Sequence, residues 1–188
     1  MYAAKAGDRE LTFDFATSLI HDNLLFVDRE TKSVWSQLDG KAVIGDLTGQ
    51  PLNAIPTIQT TWGRWKDLHP ESQVLIIPGI EGIDYLYFNP DAGAPRPEFA
   101  EFGHNPSQLG LGIERGGEAI FFPWRKIRGA KKPIESSIGG KRVWIHVDKK
   151  GLAAWATDAD GRLLAGVMTY IKSWLAFRPE SRVYGDKR

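Results

Sequence analysis

The feature that most constrains this chain is a sequence pattern that occurs twice along it. The dipeptide Val-Asp at 27–28 recurs at 147–148, and Trp35 recurs as Trp155 at the same separation of 120 positions. An Asp-Gly pair follows each Trp in the same order. Ordered matches of this kind are hard to produce by chance. They predict a duplication in which each copy forms its own β-hairpin.

A second shared stretch closes each copy. Residues 65–75 and 174–184 both open with Trp and contain Pro-Glu-Ser, here at a separation of 109 positions. The second copy is therefore shorter, and the difference falls in the loop at 48–59 of the first. We expect the first copy to lack the hairpin with which the second opens. Because residues kept in both copies are best explained as scaffold, we predict that the shared Trp side chains fill the core.

Local patterns predict a mainly β (α+β) fold. Two apolar runs within 23–37 flank a polar tetrad, which is typical of a β-hairpin. Apolar residues spaced by three in 62–68 follow Thr61, whose hydroxyl suits an N-cap, and Pro70 ends the predicted helix. The apolar run at 72–77 predicts a buried strand. We expect two diverged hairpin-rich repeats, each ending in a short Trp-bearing helix, packed as one globular unit.

Three regions follow from this organisation. Residues 1–78 form the first β-rich repeat, residues 109–188 form the second, and residues 79–108 connect them. The connection is rich in Pro and in aromatic residues, which predicts an ordered strap that covers part of a site. In the second repeat, the Gly-Gly pairs at 116–117 and 139–140 predict tight hairpin turns.

Composition excludes several classes of function. A net charge of +1 across 188 residues argues against nucleic-acid binding, which needs a basic face. The chain has no cysteine, so disulfides, thiolate catalysis and Cys-ligated metals are excluded. No apolar run approaches the ~20 residues of a membrane span. We expect a soluble protein that is cytoplasmic by default, or extracytoplasmic if a leader was removed.

Several segments together carry a resemblance to a known family. They are Glu-Leu-Thr-Phe at 10–13, the charged turn and Trp-Ser-Gln within 28–37, Thr-Trp-Gly-Arg-Trp at 61–65, and the Gly-containing elements at 116–119 and 138–140. Over most of the chain they resemble the bacterial and archaeal domain-of-unknown-function family 3179. The resemblance implies a shared fold and supplies no reaction. Relatives commonly carry a further upstream half-unit with a Cys-Pro-Leu-Cys-like segment. If those cysteines bind a metal or do redox work, we expect this cysteine-free chain to have lost that function or to expose only part of it.

Candidate catalytic residues lie in the first repeat. His69, Asp28 and Glu30 could perform general acid–base chemistry, because an imidazole that titrates near neutral pH beside a carboxylate suits proton transfer. The competing interpretation is that His69 ends the helix near its last carbonyls. Asp28 and Glu30 could equally belong to a solvated hairpin turn.

Candidate metal ligands and ligand-binding residues are more scattered. His21, His69 and His104 could hold a metal ion, although no motif implies a cofactor. An aromatic ligand site could use a second, overlapping set of residues: Trp35, Gln37, Arg29, Trp62 and His104.

Three functional hypotheses therefore stay open. The first is a soluble binding or interaction module, for a small molecule or a protein partner, with an aromatic cleft between the repeats. The second is a metal-assisted or acid–base enzyme that uses the first-repeat His, Asp and Glu residues. The third is a structural subunit of a larger complex, in which exposed Trp side chains mark the contact.

Overall fold

The computed structural model of the chain describes residues 1–21, 23–75 and 109–186. The fold is mainly β with a few short helices, as the sequence predicts. The predicted strap at 79–108 lies outside the described residues. Across the described ranges, no helix combines the length and the apolar character that crossing a bilayer requires.

The first half is an antiparallel meander preceded by a small hairpin. The hairpin pairs β1 with β2, and the meander has the order β3-β4-β5-β6. The bounds are β1 Lys5–Ala6, β2 Arg9–Glu10, β3 Phe13–Ile20, β4 Asn23–Asp28, β5 Val34–Ser36 and β6 Ala42–Ile44. A small core forms around Trp35, which is fully buried against Leu11 and Leu52. Helix α1, Trp62–Leu68, follows after a long loop.

The second half contains two sheets and a larger core. One sheet has the order β9-β10-β11 and the other the order β12-β7-β8-β13. The bounds are β7 Leu109–Arg115, β8 Glu118–Pro123, α2 Trp124–Ile127, β9 Ile134–Ile138, β10 Lys141–Asp148, β11 Ala153–Thr157, β12 Gly166–Tyr170, α3 Ile171–Phe177 and β13 Arg182–Val183. The predicted Gly-Gly turns join β7 to β8 and β9 to β10, with positive φ at both glycines of each pair.

The central hairpins of the two halves have the same geometry. In β4–β5, Phe26 pairs with Trp35, and in β10–β11, 120 positions later, His146 pairs with Trp155. Each hairpin turn has one residue in the left-handed region at the equivalent position, with φ of 59° at Lys32 and 49° at position 152. The predicted correspondence therefore holds at the level of strand register, while the duplication itself stays a prediction.

The two Trp-bearing helices also match residue by residue, 109 positions apart. Trp65 Nε1 donates to Ser72 Oγ at 2.8 Å, and Trp174 Nε1 donates to Ser181 Oγ at 2.7 Å. The C-cap of α1 has φ −135° and ψ 69°, and the C-cap of α3 has φ −138° and ψ 67°. As predicted, Thr61 caps α1, because its hydroxyl accepts from the backbone N–H of the residue three positions later.

Two expectations about the end of the first repeat are wrong. Residues 72–75 form no strand, and Leu75 is 86% exposed where a buried strand was expected. Trp65 is 42% exposed, although its counterpart Trp174 is only 2% exposed and fits the expected core role. The apolar residues are where the sequence pattern places them, but the described residues leave Leu75 and much of Trp65 uncovered.

Candidate functional site

A cleft with a volume of about 810 Å³ lies between the two halves. Aromatic and polar side chains from both halves line it. From the first half these include Tyr2, Phe13, Phe26, Gln37 and Asp39. From the second half they include Gly112, Glu114, Arg115, Trp174 and Arg178. A cleft with aromatic walls and a few convergent polar groups is a common form of small-molecule site.

Arg178 forms the polar centre of the cleft. It is the C-cap residue of α3, so the end of the helix directs its side chain towards the first half. Its Nη2 lies 3.1 Å from Asp39 Oδ1, and its Nε donates to Glu114 Oε2 at 2.7 Å. The guanidinium carbon lies 4.3 Å from the centroid of the Trp174 ring, within cation–π distance. One side chain thus links both halves and the aromatic wall.

Tyr2 closes the first-half side of the cleft. Its hydroxyl donates to the carbonyl oxygen of Leu38 at 3.0 Å. Burial raises the pKa of the Tyr2 hydroxyl, and the nearby Arg178 charge opposes that shift without overcoming it. Gly40 makes this packing possible, because a Cβ there would lie 2.2 Å from the Tyr2 ring and its φ is +66°.

The ionic groups of the cleft balance one another. Asp39 and Glu114 contribute two carboxylates, and Arg115 and Arg178 contribute two guanidinium groups. Within the described residues, Nη1 of Arg115 and Nη1 of Arg178 are buried without a hydrogen-bond partner. Both can still donate to an acceptor oxygen, and buried donors are rarely left unpaired.

Of the residues predicted to bind a ligand, Gln37 lies on the cleft wall and its side chain is exposed. Trp35 lies behind that wall, fully buried, and its Nε1 donates to Asp28 Oδ2 at 2.8 Å. Trp62 is 50% exposed on α1, outside the residues that line the cleft. The predicted set is therefore divided among the cleft, the core and the surface.

Asp28 has its hydrogen-bonding capacity occupied within the hairpin. It is fully buried and accepts from Trp35 Nε1 and from both the backbone N–H and the hydroxyl of Thr31. Burial alone would raise the pKa of the Asp28 carboxyl, but these hydrogen bonds outweigh it and hold the pKa below the ordinary value. A carboxylate with this environment stabilises the turn.

The two charged residues after Asp28 lie on the surface of the same turn. Arg29 makes a bidentate ion pair with Asp14, with Nε to Oδ2 at 2.8 Å and Nη2 to Oδ1 at 2.6 Å. Glu30 accepts from the backbone N–H of Thr12 at 2.9 Å, which lowers its pKa. Arg29 thus ties the turn to strand β3, and Glu30 ties it to the residue just before that strand.

The candidate histidines contact different helices. The His21 ring lies edge-on to Phe177 of α3 at 5.3 Å, and the His69 ring lies 4.1 Å from the ring of Trp65 in α1. His69 is the C-cap of α1, where its backbone N–H donates to the Trp65 carbonyl. His104 lies outside the described residues. Over the described ranges, no three His, Asp or Glu side chains converge as metal ligands would.

Arg178 and Asp39 are the site residues that sequence reasoning did not select. In the sequence, Arg178 is indicated only by its position, because it stands where His69 stands at the end of the matched helix. The signal for Asp39 was the Asp-Gly turn that the two halves share. Neither signal shows that the two residues meet, since they come from opposite halves of the chain.

The comparisons with known proteins agree with the resemblance seen in the sequence. The profile of a family described as "Protein of unknown function (DUF3179)" matches residues 1–173. No curated protein and no solved structure matches the chain.

Proposed function

The chain belongs to the DUF3179 family of proteins of unknown function, and we propose that this member is a binding module for a small molecule held in the cleft between its two halves. The observation that carries the proposal is the meeting of aromatic walls from both halves around the Arg178 ion-pair group. An aromatic wall supplies apolar contact area, and the polar centre supplies orientation.

The chemistry of the cleft favours an uncharged ligand with acceptor oxygens. Asp39 and Glu114 already pair with Arg178. A cationic ligand would therefore lose its hydration without finding an unpaired carboxylate, and an anionic ligand would meet Arg115 beside two carboxylates in a cleft whose charges balance. The guanidinium groups of Arg115 and Arg178 line the cleft and suit hydroxyl or carbonyl oxygens, although their unpartnered Nη1 atoms are themselves buried. A ring compound that carries such groups combines both requirements.

The test compares three sets of small ring compounds matched in size: uncharged ones with hydroxyl or amide groups, carboxylates, and amines. Binding is followed by ligand-observed NMR on the whole chain. We expect the uncharged set to bind and the charged sets to bind more weakly. Failure of every uncharged compound to bind, or preference for a charged set, contradicts the proposal.

A pair of variants locates the binding site. Gln37→Trp places a large side chain on the cleft wall, and Gln50→Trp places the same side chain at an exposed position that does not line the cleft. We expect Gln37→Trp to weaken binding at least about tenfold, a cost of about 1.4 kcal/mol. Gln50→Trp should bind as the unchanged chain does. Equal binding by both variants would place the ligand elsewhere.

A further inference from the structure

An apolar surface surrounds α1 at the end of the first half. Of the eleven large hydrophobic residues that are exposed in the described part of the chain, seven fall between positions 55 and 75. We call these seven the α1 surface: Ile55, Ile58, Trp62, Trp65, Leu68, Val74 and Leu75. Scattered exposed apolar residues are ordinary, but their concentration on one short helix and the segments beside it is typical of an interaction surface.

The second half shows what covers the equivalent helix. Strand β12 leads directly into α3, and β13 follows it. The hairpin β7–β8 lies between them, with β12 antiparallel to β7 and β13 parallel to β8. Trp174 of α3 packs on this hairpin, so a Cβ at Gly112 would lie 2.3 Å from its ring. The hairpin therefore buries the helix and pairs with both flanking strands.

The first half has the helix and both flanking segments but, among its described residues, no such hairpin. Residues 57–61 correspond to β12, and residues 73–74 correspond to β13, at the same separation of 109 positions. Neither segment belongs to a strand. The backbone N–H of Thr61 already donates to Gly151, so the backbone that can accept an additional strand beside the exposed apolar side chains is that of 57–60 and 73–74.

We propose that the α1 surface is the docking site for a β-hairpin of the β7–β8 kind, carried by polypeptide outside these 188 residues. Its first strand pairs antiparallel with 57–60 and presents a glycine to the Trp65 ring. Its second strand runs parallel to 73–74. Ile55 and Gln59 also line the cleft, so the two sites are adjacent, but the docking proposal rests on α1 and its flanking segments and does not depend on the proposed function.

A second copy of the chain does not suit this site. The β7–β8 hairpin of each copy is already paired on both edges by β12 and β13 and covered by Trp174. Offering it to another molecule would require the second half to unfold. The docking site beside α1 instead requires a hairpin whose two edges are both unpaired, since each edge pairs with one of the flanking segments.

The experiment uses a synthetic peptide with the sequence of residues 109–123 as the probe and the whole chain as its receptor. The peptide contains no Trp, so tryptophan fluorescence reports on the protein alone. We expect saturable binding and lower quenching by acrylamide, because the exposed Trp65 becomes covered. Fusing the peptide to the chain through a flexible linker raises its effective concentration to the millimolar range and detects weak binding.

Matched variants separate docking from non-specific adhesion. In the peptide, Gly112→Val should reduce binding at least about tenfold, since a side chain there meets the Trp ring, whereas Leu111→Val on the opposite face should have a smaller effect. In the chain, Trp65→Ala should reduce binding. Phe15→Ala removes a more exposed aromatic ring elsewhere, 76% against 42%, and should not.

Three outcomes would overturn the proposal. Absence of binding by both the free and the fused peptide means that the surface does not accept a hairpin, whether or not another part of the chain covers it. Equal binding by the Gly112→Val peptide means that the contact is not the one described. Dimerisation that protects Trp65 without peptide would make the α1 surface an interface between copies.

Discussion

Trp65 and Trp174 occupy the same local structure in two different environments. Each lies in a seven-residue helix, donates from its Nε1 to a serine seven positions later, and precedes a C-cap with nearly the same backbone angles. Yet Trp65 is exposed and Trp174 is buried. This difference shows that neighbouring residues determine the local structure of both helices, whereas a hairpin distant in sequence determines whether the helix is buried.

Asp28 and Asp148 show the same division. Each accepts from the backbone N–H three residues later. The second carboxylate oxygen differs, because in Asp28 it accepts from Trp35 in the core, and in Asp148 it accepts from Arg64 of α1 at 2.6 Å. The Asp148 pair joins the first-half helix to the second-half hairpin at the surface.

The largest expected effect comes from truncating the two helix tryptophans. Trp174→Ala should lower the free energy of unfolding by about 3–5 kcal/mol, because it opens a cavity beside Gly112. Trp65→Ala should lower it by only about 1 kcal/mol, because its ring is already partly in water. Urea denaturation of both variants checks the comparison. Equal losses would mean that the two helices are equally buried in solution.

A smaller effect should distinguish the two aspartates. Asp28→Asn removes the charge that Trp35 and Thr31 bind in the core, and we expect a loss of about 1.5–3 kcal/mol. Asp148→Asn weakens a partly exposed ion pair with Arg64 and should cost about 0.5–1 kcal/mol. Chemical denaturation at pH 7 measures both. A larger loss for Asp148→Asn would reverse the assignment of core and surface roles.

The smallest expected effect is the change with pH in the stabilisation that Asp28 contributes. The pKa of Asp28 is lower in the folded chain, because its hydrogen bonds outweigh the effect of burial, so the unfolded chain takes up the proton first as the pH falls. The contribution of Asp28 is therefore complete above about pH 4 and is lost as the pH falls through the folded pKa. The stability gap between the unchanged chain and Asp28→Asn should narrow below about pH 4. A stability difference that stays constant down to pH 2 would show that it does not arise from the charge of Asp28.

Sequence patterns predicted the local part of this fold. The hairpin around Asp28, the Gly-Gly turns and the helix that begins after Thr61 depend on residues close together in the chain. They could not predict that Trp65 is exposed, because an apolar spacing shows which face can be buried and not whether a partner covers it. The meeting of Asp39 with Arg178 depends in the same way on packing between the halves.

Hydrogen exchange followed by mass spectrometry tests most directly whether the two halves share local structure and differ in their hairpin. In the chain alone, the backbone amides of β12 and β13 should be protected by their pairing with β7 and β8. The amides of residues 57–60 and 73–75 should exchange at nearly the rate of an unstructured peptide. Comparable protection of the two sets would show that the first-half segments are already paired and would contradict the account.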